Sequence, residues 1–264
     1  MTGHATTHWR NYGDGPERAI AIHCTLGHAG SWRAVGQELT DRLNLHAYDL
    51  PSHGKSGDFD VTGDLHEACT APGRAALAAP AHAIGHSFGA TVALRLAVER
   101  PQAVRSLTLI EPVFFAAAGE HDPDALVAYH QRAAGYANAL AAEDWLLAAK
   151  LFNASWGDGT PWDDIPEGAR RYMTERMWFI PYQSPAIFDD NAGILNPGRL
   201  ESTDIPCLML KGSRSPAIIS AVHAGLAARL PNAREVTLNG VGHMGPTTHP
   251  QRVAAEIRRH LEMA

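Results

Sequence analysis

At 264 residues, 45% of them hydrophobic, the chain is long enough to bury the core of one large α/β domain with a modest insertion. Twenty-two basic against 28 acidic residues give a formal charge of −6 with no basic block, which excludes a nucleic-acid or anionic-membrane binder from the leading functions. Three widely spaced cysteines (Cys24, Cys69, Cys207) form neither a zinc pattern nor a disulfide framework, and the 15 histidines contain no His-Glu-x-x-His, so neither a metal nor an organic cofactor is expected.

The first eight residues, Met1–His8, lack the basic and apolar regions of a secretory leader, and no apolar run approaches membrane-spanning length; a cytoplasmic location is expected. Ala19-Ile20-Ala21-Ile22-His23-Cys24 reads as a buried strand, followed by the glycine-containing loop Thr25–Gly30. Trp32, Val35, Leu39 and Leu43 then recur at helical spacing. A second strand, Leu45–Asp49, ends in the turn-rich loop Leu50–Gly57, whose glycine spacing is wrong for a phosphate-binding loop. Residues 64–77 read as a helix interrupted at Pro72-Gly73.

A third strand, Ala81–Gly85, runs into Gly85-His86-Ser87-Phe88-Gly89, and a helical pattern, Ala90–Ala97, leaves it. This Gly-x-Ser-x-Gly in strand–turn–helix context is a nucleophile elbow. Its turn is tight enough that a Cβ two residues to either side of the serine would clash, and the helix end behind it favours negative charge. The next strand is Val104–Ile110, followed by Glu111-Pro112.

The pattern changes after Phe115. From 116 to 200 the chain reads as helical segments with two apolar clusters, around Trp145–Phe152 and around Tyr172–Ile180. Strand–helix alternation resumes with Cys207–Gly212, a helix carrying Val222, Leu226 and Leu230, the strand Arg234–Leu238, the loop Asn239–Pro246 and a last helix over 250–261. Such alternation implies a mostly parallel central sheet with helices on both faces. Sites in such sheets lie beyond the carboxyl ends of the strands, where Thr25, Ser87, Glu111 and His243 all fall.

The elbow Gly85–Gly89, the loop Asp49–Ser56 and the terminal Gly242-His243 resemble the α/β-hydrolase fold family, in its capped serine esterase-like branch. The resemblance implies a core formed by residues 1–115 and 201–264 with a helical cap at 116–200. It implies Ser87 as nucleophile and His243 as its general base. The family commonly places an aspartate after the strand that here is Cys207–Lys211, but this chain has Gly212-Ser213-Arg214-Ser215-Pro216 there. A subset takes the acid from the end of the preceding core strand, where Glu111 stands; Asp204 and Glu235 remain alternatives. Backbone N–H groups of Thr25 and Phe88 are the expected oxyanion donors. Cys24 takes the place of a familiar glycine and is a rival nucleophile in principle. His23, Leu26, His86, Trp145, Trp178 and Met244 are expected around the pocket, with the histidines there either lining it or fixing its loops.

The expected activity is hydrolysis of a small-molecule carboxylic ester or lactone, by a monomer or homodimer. The alternatives are carbon–carbon cleavage of vinylogous diketones, thioester hydrolysis, and a non-catalytic small-molecule receptor on the same fold. An aspartate at the elbow would be needed for dehalogenation or epoxide opening, and Ser87 disfavours both.

Overall fold

The computed structural model describes residues 6–263, so the reading of Met1–His8 lies mostly outside the described residues. The core elements run β1 (Trp9–Tyr12), β2 (Glu17–Ile22), α1 (Arg33–Glu38), β3 (Leu43–Tyr48), α2 (Leu65–Ala76), β4 (Ala81–His86), α3 (Phe88–Glu99) and β5 (Val104–Ile110). The insertion follows with α4 (Phe115–His121), α5 (Pro123–Ala141), α6 (Trp145–Trp156), α7 (Glu167–Thr174) and the single turn α8 (Ser184–Ile187). The core closes with β6 (Cys207–Gly212), α9 (Ile218–Ala227), β7 (Ala233–Leu238), α10 (Gly245–Thr248) and α11 (Pro250–Met263).

The sheet order is β1-β3-β2-β4-β5-β6-β7. All neighbours are parallel except β1, which pairs antiparallel with β3 from Trp9–Tyr48 to Tyr12–Leu45. Strand alternation divides the core between the two faces. Ile20, Ile22 and Ala83 join the layer containing α3 and α9, whereas Ala19, Ala21 and Ile84 join the layer built from Trp32, Val35, Val253 and Ile257.

Three local expectations change. The four-residue β1, half-exposed at the sheet edge, has no apolar alternation to mark it as a strand. The helix expected through Leu43 ends at Glu38, and Leu43 instead opens β3, because its partner Glu17 on β2 fixes the register there. The helix expected to break at Pro72 continues as α2 through Ala76. Neighbours hold the weakened turn: Tyr48 Oη donates to the Cys69 carbonyl at 2.8 Å, and Arg74 bonds both Glu67 and Glu99.

The insertion consists of helices joined by turns, with no strand among the described residues, and its last stretch, 188–200, is turns and bends. Its first helix, α4, packs on α9, where the absence of a Cβ on Gly225 lets the Ala117 carbonyl close in. A satellite cluster of Ala139, Ala148, Ala149, Met177 and Ile180 forms the insertion's own core. Among the described residues no helix is long and apolar enough to cross a membrane.

Candidate active site

Ser87 lies between β4 and α3 at φ 57°, ψ −121°, a conformation that costs a non-glycine residue of order 1–3 kcal/mol. The surroundings enforce it. The Ser87 N–H donates to the Ile110 carbonyl at 2.9 Å, and a Cβ on Gly85 or Gly89 would overlap the Gly89 or Ile22 carbonyl oxygens. The hydroxyl is thereby carried to the carboxyl edge of the sheet, above the first turn of α3.

Three elements meet there. Ser87 Oγ is 3.0 Å from His243 Nε2, and His243 Nδ1 is 3.2 Å from Glu111 Oε2. Neither the serine, the histidine nor the carboxylate is more than 7% exposed. A histidine that donates Nδ1–H to a carboxylate presents a bare Nε2 to the hydroxyl, the tautomer needed to accept its proton.

Glu111 reaches this position from the end of β5, at φ 53°. Its Oε1 accepts the Gly212 N–H at 2.5 Å and the Ser215 hydroxyl at 2.6 Å. The loop that lacks a carboxylate of its own therefore supplies donors to one from the neighbouring strand. Burial pushes the Glu111 pKa up, but the hydrogen bond and charge of His243, with the Ser215 and Gly212 donors, outweigh it and hold the carboxyl below its ordinary value. Asp204 bonds Asn232, and Glu235 bonds Lys211 and His223, so neither alternative carboxylate meets His243.

The N–H of Leu26 is bonded to His53 Nε2 and that of Gly27 to the Cys24 carbonyl, whereas among the described residues those of Thr25 and Phe88 have no protein acceptor. Gly89 brings the start of α3 against the end of β2, its missing Cβ leaving room for the Ile22 and His23 carbonyls. Thr25 and Ser87 line the same cavity. Cys24 is buried, and burial pushes its thiol up to about 12, the opposite of an activated nucleophile.

The cavity that includes Ser87 has a volume of about 320 Å³ and a predominantly apolar wall, with Phe115, Phe152, Trp156, Ile180 and Phe188 among its lining. A larger cavity of about 560 Å³ shares Thr25, Phe152 and Trp156 with it and continues past Leu26, Tyr172 and Met244. The edge of Trp156 also packs against the His243 ring, centroids 4.7 Å apart.

Leu26 and Met244 thus stand at a cavity wall, whereas Trp145 and Trp178 do not, and His23 and His86 take the loop-fixing place of the two expected for them. His23 is used up in the scaffold: its Nδ1–H donates to the Cys24 carbonyl and its Nε2 accepts from the Leu50 N–H. His86 donates Nε2–H to the His243 carbonyl at 2.8 Å, tying the histidine loop to the elbow. Burial, then the nearby His243, push the His86 pKa down to about 3 and keep it neutral. Trp145 packs on the insertion's own core, and Trp178 on Phe179 and Tyr182. Conversely, sequence reading passed over Gln183, Trp156, His53 and Ser215. His53 and Ser215 carry a signal, the first by its place in the Asp49–Ser56 loop and the second by its place in the loop where a carboxylate is missing, whereas Gln183 and Trp156 carry none.

Comparison with known proteins agrees with this architecture. The chain is 28% identical over 281 aligned positions to the lipase LipV of Mycobacterium tuberculosis, covering 96% of this chain and 97% of that one. It is 36% identical over 110 residues to the pimeloyl-[acyl-carrier protein] methyl ester esterase of Nitrosomonas europaea, a match to 40% of this chain and 41% of that protein. A Bacillus subtilis carboxylesterase superposes with a TM-score of 0.72 at 17% identity, covering 100% of this chain and 90% of the other, a likeness of fold. The sequence profile described as the alpha/beta hydrolase family matches residues 19–256, from β2 into α11 and across the insertion, and with it the chain belongs to the alpha/beta hydrolase family.

Proposed function

We propose that this protein hydrolyses small-molecule carboxylic esters, lactones among them, through an acyl-enzyme on Ser87. The observation that carries the reading is the unbroken path from Ser87 Oγ through His243 to Glu111, three buried groups from three separate strand ends. The names of the two relatives, a lipase and a methyl ester esterase, point to the same bond class.

In this reading His243 Nε2 takes the Ser87 proton as Oγ attacks the carbonyl carbon. Glu111 stabilises the imidazolium that forms and holds its orientation. The oxyanion receives the N–H groups of Phe88 and Thr25, aided by the positive end of α3. His243 then protonates the departing alkoxide, and the same nitrogen later activates water to release the acid. The acyl group stays on Ser87 and so occupies the apolar cavity of about 320 Å³. An engineered apolar cavity of about 150 Å³ holds one benzene ring, so this one has room for an acyl group of roughly twice that size. The alcohol leaves on the side of His243, whose neighbour Met244 lines the larger cavity.

A fluorophosphonate added to the purified protein should give one adduct, mapped by peptide mass to Ser87 and absent in His243→Ala. Ser87→Ala should lose ester turnover with its circular dichroism unchanged. A folded Ser87→Ala protein that still hydrolyses esters at the wild-type rate overturns the assignment.

A further inference from the structure

The insertion touches the oxyanion loop through one buried polar side chain that the mechanism above leaves unused. Gln183 ends a short helical turn, Pro181–Gln183, and is 3% exposed. Its amide meets the hydroxyl of Thr25, itself 8% exposed, with Nε2 at 2.8 Å and Oε1 at 3.1 Å from Thr25 Oγ1. Among the described residues the Thr25 hydroxyl has no other partner, and both side chains line the cavity that holds Ser87.

We propose that Gln183 is a positioning residue that makes the Thr25 hydroxyl a third donor to the oxyanion. The inference rests on the ester-hydrolase reading and deepens it. The closer contact is the one from Nε2, an N–H donor that the hydroxyl oxygen accepts. A hydroxyl that accepts from one side is free to direct its own proton elsewhere, and it becomes a stronger donor because the two bonds polarise each other. The cavity shared with Ser87 is where that proton is useful. Thr25 then contributes twice, once through its N–H and once through its side chain, while Gln183 touches no reacting atom. The insertion would thereby set the strength of the oxyanion site as well as roof the pocket.

The alternative geometry is a plain tie, with Thr25 donating to Oε1 and nothing aimed at substrate. Glutamate at 183 and valine at 25 together separate the two, since a carboxylate also sets a negative charge near the oxyanion and its loss counts only beside a matching loss in Thr25→Val. A carboxylate at position 183 still accepts from Thr25, so it preserves a tie, but it cannot donate and draws the hydroxyl proton away from the oxyanion. We would measure kcat and KM for p-nitrophenyl butyrate, and inhibition by a boronic acid that forms a tetrahedral anion on serine. The proteins are wild type, Gln183→Glu, Thr25→Val, Thr25→Ser and the Gln183→Glu/Thr25→Val double variant. Loss of one oxyanion donor lowers kcat by about 10²–10³-fold in other hydrolases, and a side-chain donor backed by two N–H groups is expected at about 10- to 100-fold. Gln183→Glu and Thr25→Val should each show that loss, with KM within about twofold and boronate affinity reduced in parallel with kcat. Thr25→Ser should retain most activity, and the double variant should be no worse than the poorer single one.

A folded Gln183→Glu protein with wild-type kcat overturns the proposal, as do losses that multiply in the double variant. Should Gln183→Glu fail to fold, Thr25→Val against Thr25→Ser decides it, since equal activity overturns it. A wild-type protein whose Ser87 takes no fluorophosphonate and turns over no ester overturns the hydrolase reading and this proposal together. A labelled, active enzyme indifferent to these substitutions overturns the proposal alone.

Discussion

Glu111 occupies an unusual position, one residue past β5 at a positive φ, with both carboxylate oxygens committed. One oxygen is fixed by Gly212 and Ser215, which leaves the other a single direction, toward His243. Glu111→Gln retains an acceptor for the first pair but turns an NH₂ toward the imidazole. The ring must then present Nδ1 as an acceptor and Nε2–H to Ser87, the wrong tautomer for a base. The expected result is a kcat lower by about 10³- to 10⁴-fold with KM little changed, measured by steady-state kinetics on a protein whose near-ultraviolet circular dichroism is intact. A rate within tenfold of wild type would remove Glu111 from the role of orienting acid.

The β4–α3 junction transmits the sheet's geometry to Ser87, and its two glycines are where backbones come closest. A Cβ at Gly89 would lie 2.5 Å from the His23 carbonyl oxygen and nearer still to that of Ile22. Ile22 ends β2 and His23 follows it into the loop that carries Thr25. Gly89→Ala must therefore separate α3 from β2, and backbone carbonyls in a central strand have little freedom to yield. The expected cost is roughly 3 kcal/mol of stability, read as a lower urea midpoint, together with loss of fluorophosphonate labelling as Ser87 and the Thr25 loop part. Unchanged stability would show that this contact is looser than its geometry implies. α2 behaves in the opposite way: its Pro72 violates a local rule and is tolerated, because Tyr48 of β3 and Glu99 of α3 hold the helix from outside and the Arg74–Glu67 pair ties its two ends together.

Across the whole chain the dominant titration signal comes from buried histidines. Burial pushes His23 and His86 down to about 3, and His53, His66 and His260 down to about 4, from an ordinary value of 6.5. Between those values and 6.5 the unfolded chain binds protons that the native state refuses, so stability rises with pH through that window and falls as pH drops. Each group withdraws up to about 1.4 kcal/mol per pH unit. Five together are a large share of a typical total of about 5–15 kcal/mol. Glu111 and Asp49, whose pKa values are lowered, add a loss in the same direction only below the ordinary carboxylate range. Urea midpoints should therefore be near their maximum above pH 6.5 and fall steeply between pH 6 and 4. A midpoint flat over that range would show that these imidazoles gain protons without unfolding the chain.

The layered α/β fold, the tight turn at Ser87 and the helices of the insertion are legible in the amino acids alone. These are local matters, set by alternation along strands, spacing along helices and glycines flanking a serine. The sequence also ranks Glu111 first among the carboxylates, from its place at a strand end. The rest depends on contacts between elements far apart in the chain. β1 exists because β3 offers it an edge. Ser215 and Gly212 become donors to Glu111 because β5 and β6 are neighbours in the sheet. His23 and His86 fix loops rather than line the pocket because the backbone uses their nitrogens, and Gln183 reaches Thr25 across 158 positions of sequence. A hydrogen bond depends on atoms within about 3 Å of each other, and no one-dimensional pattern records which distant residues the fold brings to that distance.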